Sequence, residues 1–437
     1  MIDIDILIRA RWTVPVEPDG VLERHAVAVE GGRIIDIVST DDAAAKYRAR
    51  DVVDLPNHVL IPGLVNAHTH AAMTLFRGLA DDLALMDWLQ NHIWPAEAAW
   101  VSPDFVRDGT ELAVAEMLKS GTTCFSDMYF FPEDTARTCL EIGMRVVVGL
   151  ILIDFPTAYA QTPDEYLHKG IQLHDDLRAA ELASTAFAPH APYTVSDAPL
   201  TKLRTLNDEL NLPLHMHVHE TAHEVEEAAR VTGQRPLARL HALNLLQPNL
   251  VAVHMTQLLD QEIAAFAQSG GSVVHCPASN LKLASGFCPV HNLVRTGINV
   301  ALGTDGAASN DNLDMLGEAR TAALLAKGVA NDATALPAQL ALRMATLNGA
   351  KALGLDEHIG SIVPGKAADL AAIDLSGAST QPVYNPVSQL IYASGRDQVT
   401  DVWVHGKRLL ADGQLTTLDE EAILRKARSW RDKISEK

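Results

Sequence analysis

The sequence predicts an α/β fold, a (β/α)8 barrel of the TIM type, and three observations carry that expectation. From about residue 61 to about residue 330, short β-branched runs alternate with helix-like stretches of ten to eighteen residues. Such alternation calls for parallel strands joined by crossover helices. The candidate strands number eight, as a closed barrel of this kind requires. Histidines and carboxylates recur at the C-terminal ends of those runs, the face on which such barrels build their sites.

Taken in chain order, residues 1 to about 60 alternate apolar and polar positions, with runs at 25–30 and 33–38 around Gly31-Gly32, a strand–turn–strand pattern. The barrel strands are expected at 60–67, 122–127, 145–152, 184–189, 213–219, 250–254, 271–275 and 298–303. Among the helices between them, Ser102-Pro103-Asp104 opens one over 103–119 and Ser196-Asp197 one over 197–210, with side-chain oxygens available to the first free amides. Short strands return at 369–374 and 402–410, punctuated by Gly406 and Gly413, so two β-rich ends flank the barrel. Charge spacing from Glu420 to Lys437 reads as a terminal surface helix. No short-period repeat suggests a solenoid or propeller.

Bulk composition narrows the function. Of the 437 residues 48% are hydrophobic and 21% charged, the balance of a globular chain with a large core. A net charge of −20 repels nucleic acid and anionic lipid, which leaves a small molecule as the expected partner. The acidic start, Met1-Ile2-Asp3-Ile4-Asp5, lacks the basic region of a secretory signal, and no apolar run approaches the roughly 18 residues of a membrane span. A cytoplasmic location is expected. Cys124, Cys139, Cys276 and Cys288 show no CxxC spacing and are expected to be reduced and structural.

The chemistry begins at Asn66-Ala67-His68-Thr69-His70. Residues two apart on a strand project to one side, so His68 and His70 can face one ion. HxH alone is a weak signal, since two surface histidines at a strand end would look the same. It gains force from ligand types at other strand ends: His217 within Leu214-His215-Met216-His217-Val218-His219-Glu220, His254 closing Val251-Ala252-Val253-His254, and Asp305 after Val300-Ala301-Leu302-Gly303-Thr304. His215 and His219 share the strand parity of His217 and compete with it. Singly, Glu220 before a helix and Asp305-Gly306 in a turn have ordinary structural explanations.

The segments PGLVNAHTH, HMHVHE, VHMTQ, HCPASNLKL and GTDGAASN resemble the amidohydrolase superfamily, and within it the 5′-methylthioadenosine/S-adenosylhomocysteine deaminases. The resemblance runs on to Gly365-Lys366-Ala367-Ala368-Asp369-Leu370. It implies a small β-sandwich made by both chain ends, 1–60 and 362–437, beside a barrel over 61–361. It also implies one Zn2+ per subunit, with Fe2+ and Mn2+ compatible with the same ligand types, held by His68, His70, His217 and Asp305. His217 is chosen among its neighbours because the family ligand precedes a glutamate by three residues. Ala188-Pro189-His190 stands where two-metal relatives place a bridging lysine, which implies a single ion. Asp305 then takes a proton from the attacking water, Glu220 protonates the purine ring nitrogen, and His254 steadies the incoming oxygen. A homodimer or tetramer is implied as well.

For the substrate, the resemblance assigns Glu97 to the ribose hydroxyls and His190 to the nucleoside. Met73, Phe76, Met86, Trp88 and Trp94 either wall the pocket or form an ordinary amphipathic helix face. Some relatives that use S-adenosylhomocysteine carry arginines at the end of the third strand and just after it; here no arginine occurs from 146 through 177, Arg145 begins the strand, and Asp154 would repel a carboxylate. The expected activity is deamination of 5′-methylthioadenosine, with S-adenosylhomocysteine and adenosine as further candidates. The rivals are a free-base (guanine or 8-oxoguanine) deaminase or triazine hydrolase of the same fold, and a catalytically silent barrel acting as an assembly partner.

Overall fold

A computed structural model describes residues 1–436. Lys437, the last residue of the expected terminal helix, lies outside the described residues. Eight strands, Leu64–Thr69, Thr122–Asp127, Arg145–Leu152, Ala183–Pro189, Leu214–Val218, Leu250–His254, Ser272–His275 and Asn299–Leu302, follow one another in chain order in one parallel sheet. Their β-branched side chains suit a sheet covered on both faces. The seam between last and first strands is closed by the Asp305 amide, which donates to the His68 carbonyl at 3.0 Å. Gly303 permits that approach, because a Cβ there would stand 2.9 Å from the His68 backbone nitrogen.

Seven of the strands fall where the sequence places them, with ends moved by one residue at most. The first does not: residues 60–62 end a long strand, Tyr47–Pro62, of a second sheet, pairing antiparallel with Leu370–Asp374. Gly63 makes the transition, since any side chain there would collide with Thr123. Ser102 accepts from the Phe105 amide at the head of Pro103–Lys119, as expected. Ser196 makes no such side-chain bond at the head of Asp197–Leu210; its own amide instead donates to Asp154 at 2.8 Å.

The second sheet joins both chain ends in eight strands. Ile2–Thr13, Leu22–Glu30, Arg33–Ser39 and Tyr47–Pro62 meet Leu370–Asp374, Val399–Val404, Lys407–Ala411 and Gln414–Leu415. It curls on itself: Val27 and Ile34 from one end share a core with Leu370 and Trp403 from the other. Burying a side chain of this size contributes about 1.5–3 kcal/mol. The terminal helix Glu420–Ser435 lies on Pro103–Lys119, with buried Trp430 donating to Asp108 at 3.0 Å. All four cysteines are free and buried. Among the described residues no helix is long and apolar enough to cross a membrane.

Candidate active site

The C-terminal strand ends converge on one face, where His68, on the first strand, and His70, just past it, meet His217 of the fifth and Asp305 beyond the eighth. One ligand atom from each of the four lies within 4.8 Å of the others. His68 and His217 bring their Nε2 atoms to 3.1 Å, and Asp305 Oδ1 stands 3.3 Å from His68 Nε2 and 3.2 Å from His70 Nε2. Ligands of a tetrahedral zinc ion, at bonds of about 2.0–2.1 Å, sit about 3.3 Å apart. The spacing and the set of three imidazoles with one carboxylate therefore fit one divalent cation.

Each imidazole is oriented from behind. His70 Nδ1 donates to the Met128 carbonyl at 2.6 Å and His217 Nδ1 to the His190 carbonyl at 2.8 Å, leaving each Nε2 lone pair toward the cluster. His68 Nδ1 pairs with His215 Nε2 at 2.8 Å, so His215 stands behind the cluster. His219 turns away: its Nδ1 donates to the Gln257 carbonyl at 3.0 Å and its Nε2 accepts from the Leu237 amide at 3.1 Å. Asp305 Oδ2 accepts from Ser279 Oγ at 2.6 Å and Ser309 Oγ at 2.8 Å, and Oδ1 from the Gly306 amide at 2.9 Å. Asp305 and His254 both have left-handed backbone, with φ of 65° and 75°. Non-glycine residues pay for that conformation and hold it only where neighbours enforce it.

Electrostatics follow from burial and the one carboxylate. Burial pushes His68 down to about 4, and His217 and His215 well below the usual imidazole range. Burial also opposes the charged form of His70, but Asp305 outweighs it and raises that ring to about 9. Burial pushes Asp305 up, yet the adjoining His68 and His70 hold it well below the usual carboxylate range.

A cavity of about 500 Å³ opens over the cluster, within the range of small-molecule sites. Glu97, His190, Glu220, His254 and Asp305 all line it. Glu220 lies two residues past the fifth strand, its Oε2 3.9 Å from His254 Nε2, and burial raises its pKa. His254 Nδ1 donates to Asn280 Oδ1 at 2.8 Å, which turns Nε2 to the cavity as an acceptor. Glu97 sits on the helix Trp94–Trp100, and burial raises it to about 7 against the pull of Tyr129 and His70. His190 follows the fourth strand, its Nδ1 3.0 Å from Thr194 Oγ1, and burial lowers it to about 3.

The rest of the wall is apolar. Met73, Trp88 and Trp94 line the cavity, whereas Phe76 packs behind it on Phe105 with ring centroids 4.8 Å apart. Met86 does not reach the lining. Ile151, Ile153, Phe155 and Pro156 form the side nearest the third strand. Among the described residues the lining holds no lysine or arginine. Arg145 is at the opposite end of its strand, buried against Asp369 at 2.7 Å. The expectation that Asp154 repels a ligand is corrected: it is exposed, outside the cavity lining, and engaged with the Ser196 amide.

Sequence reading assigned no role to several residues that shape the site. Ser279 and Asn280, inside the quoted HCPASNLKL segment, hold Asp305 and His254. Glu224 accepts from the Glu220 amide at 2.7 Å and the His219 amide at 3.2 Å, while its own amide donates to Thr221 Oγ1 at 3.2 Å. The Thr-x-x-Glu spacing of a helix cap was the available signal. Replacing Glu224 by alanine is expected to cost about 1–3 kcal/mol of stability and to lower kcat by loosening Glu220. Thermal unfolding and steady-state kinetics check this; an unchanged kcat would remove Glu224 from any positioning role. Tyr129, in the cavity wall, left no sequence signal.

The chain matches the model of the amidohydrolase family over residues 59–409. It is 52% identical to a protein of Saccharophagus degradans named 5-methylthioadenosine/S-adenosylhomocysteine deaminase, over 98% of this chain and 97% of that one. A protein of the same name from Teredinibacter turnerae is 50% identical over 99% and 98%. Among solved structures, an adenosine deaminase from Xanthomonas campestris with bound zinc superposes with a TM-score of 0.99 at 55% identity, covering 100% of both chains. Family match, near-full-length identity and superposition agree with the cluster at the strand ends, and the chain belongs to the amidohydrolase family, among its 5-methylthioadenosine/S-adenosylhomocysteine deaminases.

Proposed function

We propose that this protein hydrolyses the exocyclic amino group of an adenosine-type ribonucleoside, 5′-methylthioadenosine foremost, to give the inosine analogue and ammonia. The observation that carries this reading is one cavity in which a cation-binding cluster, Glu220 and His254 share the floor, Glu97 and His190 the sides, and uncharged apolar groups the rest. The names of the similar proteins support it.

In this reading His68, His70, His217 and Asp305 hold one zinc ion per subunit. Bound there, zinc supplies the Lewis acidity that makes water a nucleophile at neutral pH. Glu220, whose carboxyl burial makes harder to ionise, gives its proton to the ring nitrogen beside the amino-bearing carbon. His254 Nε2, its tautomer set by Asn280, accepts a hydrogen from the incoming oxygen and keeps it aligned on that carbon. Asp305 receives the first proton of the water. Of the two water hydrogens, one leaves with ammonia and the other restores Glu220, so the site ends as it began.

The tail of the nucleoside meets Ile151, Ile153, Phe155 and Pro156, with no cation for a carboxylate in the lining among the described residues. Without a charged partner there, the carboxylate forgoes a charge-assisted hydrogen bond of about 1.5–3 kcal/mol. The kcat/KM for 5′-methylthioadenosine is therefore expected to exceed that for S-adenosylhomocysteine by about 100-fold. Ammonia release and the adenine-to-hypoxanthine absorbance change, followed on these two, adenosine and guanine, test the proposal. Equal or better use of S-adenosylhomocysteine would refute the tail argument; turnover of guanine alone would refute the nucleoside reading.

A further inference from the structure

We propose that Tyr129 reads a ribose hydroxyl in concert with Glu97 and sets a preference for ribonucleosides over their deoxy counterparts. The inference rests on the nucleoside reading above and adds a specificity-determining residue to it. Tyr129 lies two residues past the second barrel strand, next to Met128, whose carbonyl orients His70. It lines the cavity yet is only 4% exposed. Its hydroxyl makes no hydrogen bond of ordinary length among the described residues, and the group it faces is the Glu97 carboxylate, close enough for each to shift the other's ionisation.

Buried hydroxyls are normally paired. One that reaches its neighbour only at long range, at the wall of an open cavity, is fully satisfied when a ligand brings a closer partner. Glu97 identifies that partner. Burial pushes its pKa up, and the long hydrogen bond offered by the Tyr129 hydroxyl opposes that push, so the two groups face each other across the same corner of the cavity. A carboxylate accepts hydrogens from both hydroxyls of a vicinal diol, and each hydroxyl oxygen then still has lone pairs to offer. The phenol supplies the missing donor, so carboxylate and phenol together complete the bonds of a diol. Sites built this way discriminate strongly against the analogue lacking the hydroxyl, because their own polar groups are then left unpaired. Trp88 Nε1, buried in the cavity wall with no hydrogen-bond partner among the described residues, is the competing donor.

The test compares wild type, Y129F and W88F, all zinc-loaded, on adenosine, 2′-deoxyadenosine and 3′-deoxyadenosine, with metal content and thermal unfolding measured in parallel. For Y129F, kcat/KM on adenosine is expected to fall about 10- to 100-fold, and on one of the deoxy compounds by less than about 3-fold. A merely structural role would lower all three alike, and that result overturns the proposal. So does a loss on adenosine below about 3-fold, or hydroxyl-dependent discrimination that W88F removes and Y129F keeps. If wild type deaminates no nucleoside, the functional reading falls and this inference with it. If wild type is active and Y129F is indistinguishable from it, this inference alone falls.

Discussion

Dialysis against a chelator is expected to reduce ammonia release below detection and to restore it when zinc is added back. At neutral pH, water without such an ion has a pKa of about 15.7, against about 7 with it, a gap no side chain in the cavity closes. The loss should be pH-dependent, and its sign follows from His70. In the metal-free protein that ring titrates at about 9, raised by Asp305 against burial. Below about pH 9 the metal-free site therefore holds a proton that the cation must displace, so affinity falls as pH falls. Metal content after equilibration at pH 8 and pH 5.5 in limiting chelator should drop toward acid. His217→Ala should reproduce the loss of activity and metal together, because His217 Nε2 approaches His68 Nε2 to 3.1 Å at the heart of the cluster. Full activity in protein shown to be metal-free would refute the assignment of all four ligands.

Glu220→Gln is expected to lower kcat by about 10^2- to 10^4-fold with metal content unchanged. The substitution keeps the shape and removes only the acid. Burial raises the carboxyl above its usual range, opposed by His254 and His70 and reinforced by Asp305. A glutamine side chain can donate a hydrogen bond to the ring nitrogen but cannot transfer a proton, so the loss should appear in kcat far more than in KM. A kcat within tenfold of wild type would show that the proton comes from elsewhere. Asn280→Ala offers a useful contrast: it frees the His254 tautomer without touching the acid, since the contact at 2.8 Å is to Nδ1 alone.

Much of the fold was legible because its determinants are local. β-Branched runs and helix starts repeat with short periods, and seven of the eight barrel strands were placed to within a residue. The exception, 60–62, is apolar in the same way as the strand that follows. The change of sheet comes at Gly63, which has no room for a side chain beside Thr123 and whose amide donates to the Asp369 carbonyl at 2.8 Å. Ser196 shows the same limit, for a cap-forming residue at the right position was bypassed when Asp154, 42 positions away, took its amide.

The sequence by itself determined which ligand types stand at which strand ends, and that the third strand and the loop after it bring no arginine to the cavity. Strand parity, which repeats every two residues, left His215, His217 and His219 equivalent, and only the family resemblance singled out His217. Depth decided among them. His215 lies about 6.6 Å lower on its strand and meets the back of His68; His217 stands level with the cluster; His219, past the strand end with φ of 54°, turns toward Gln257 and Leu237. Asp305 poised by two serines, Glu220 seated on Glu224, and Tyr129 facing Glu97 likewise belong to the tertiary structure. Periodicity governs the direction of a side chain from its own strand. Which atoms then meet is set by strand register and loop conformation, across separations such as the 149 positions between His68 and His217.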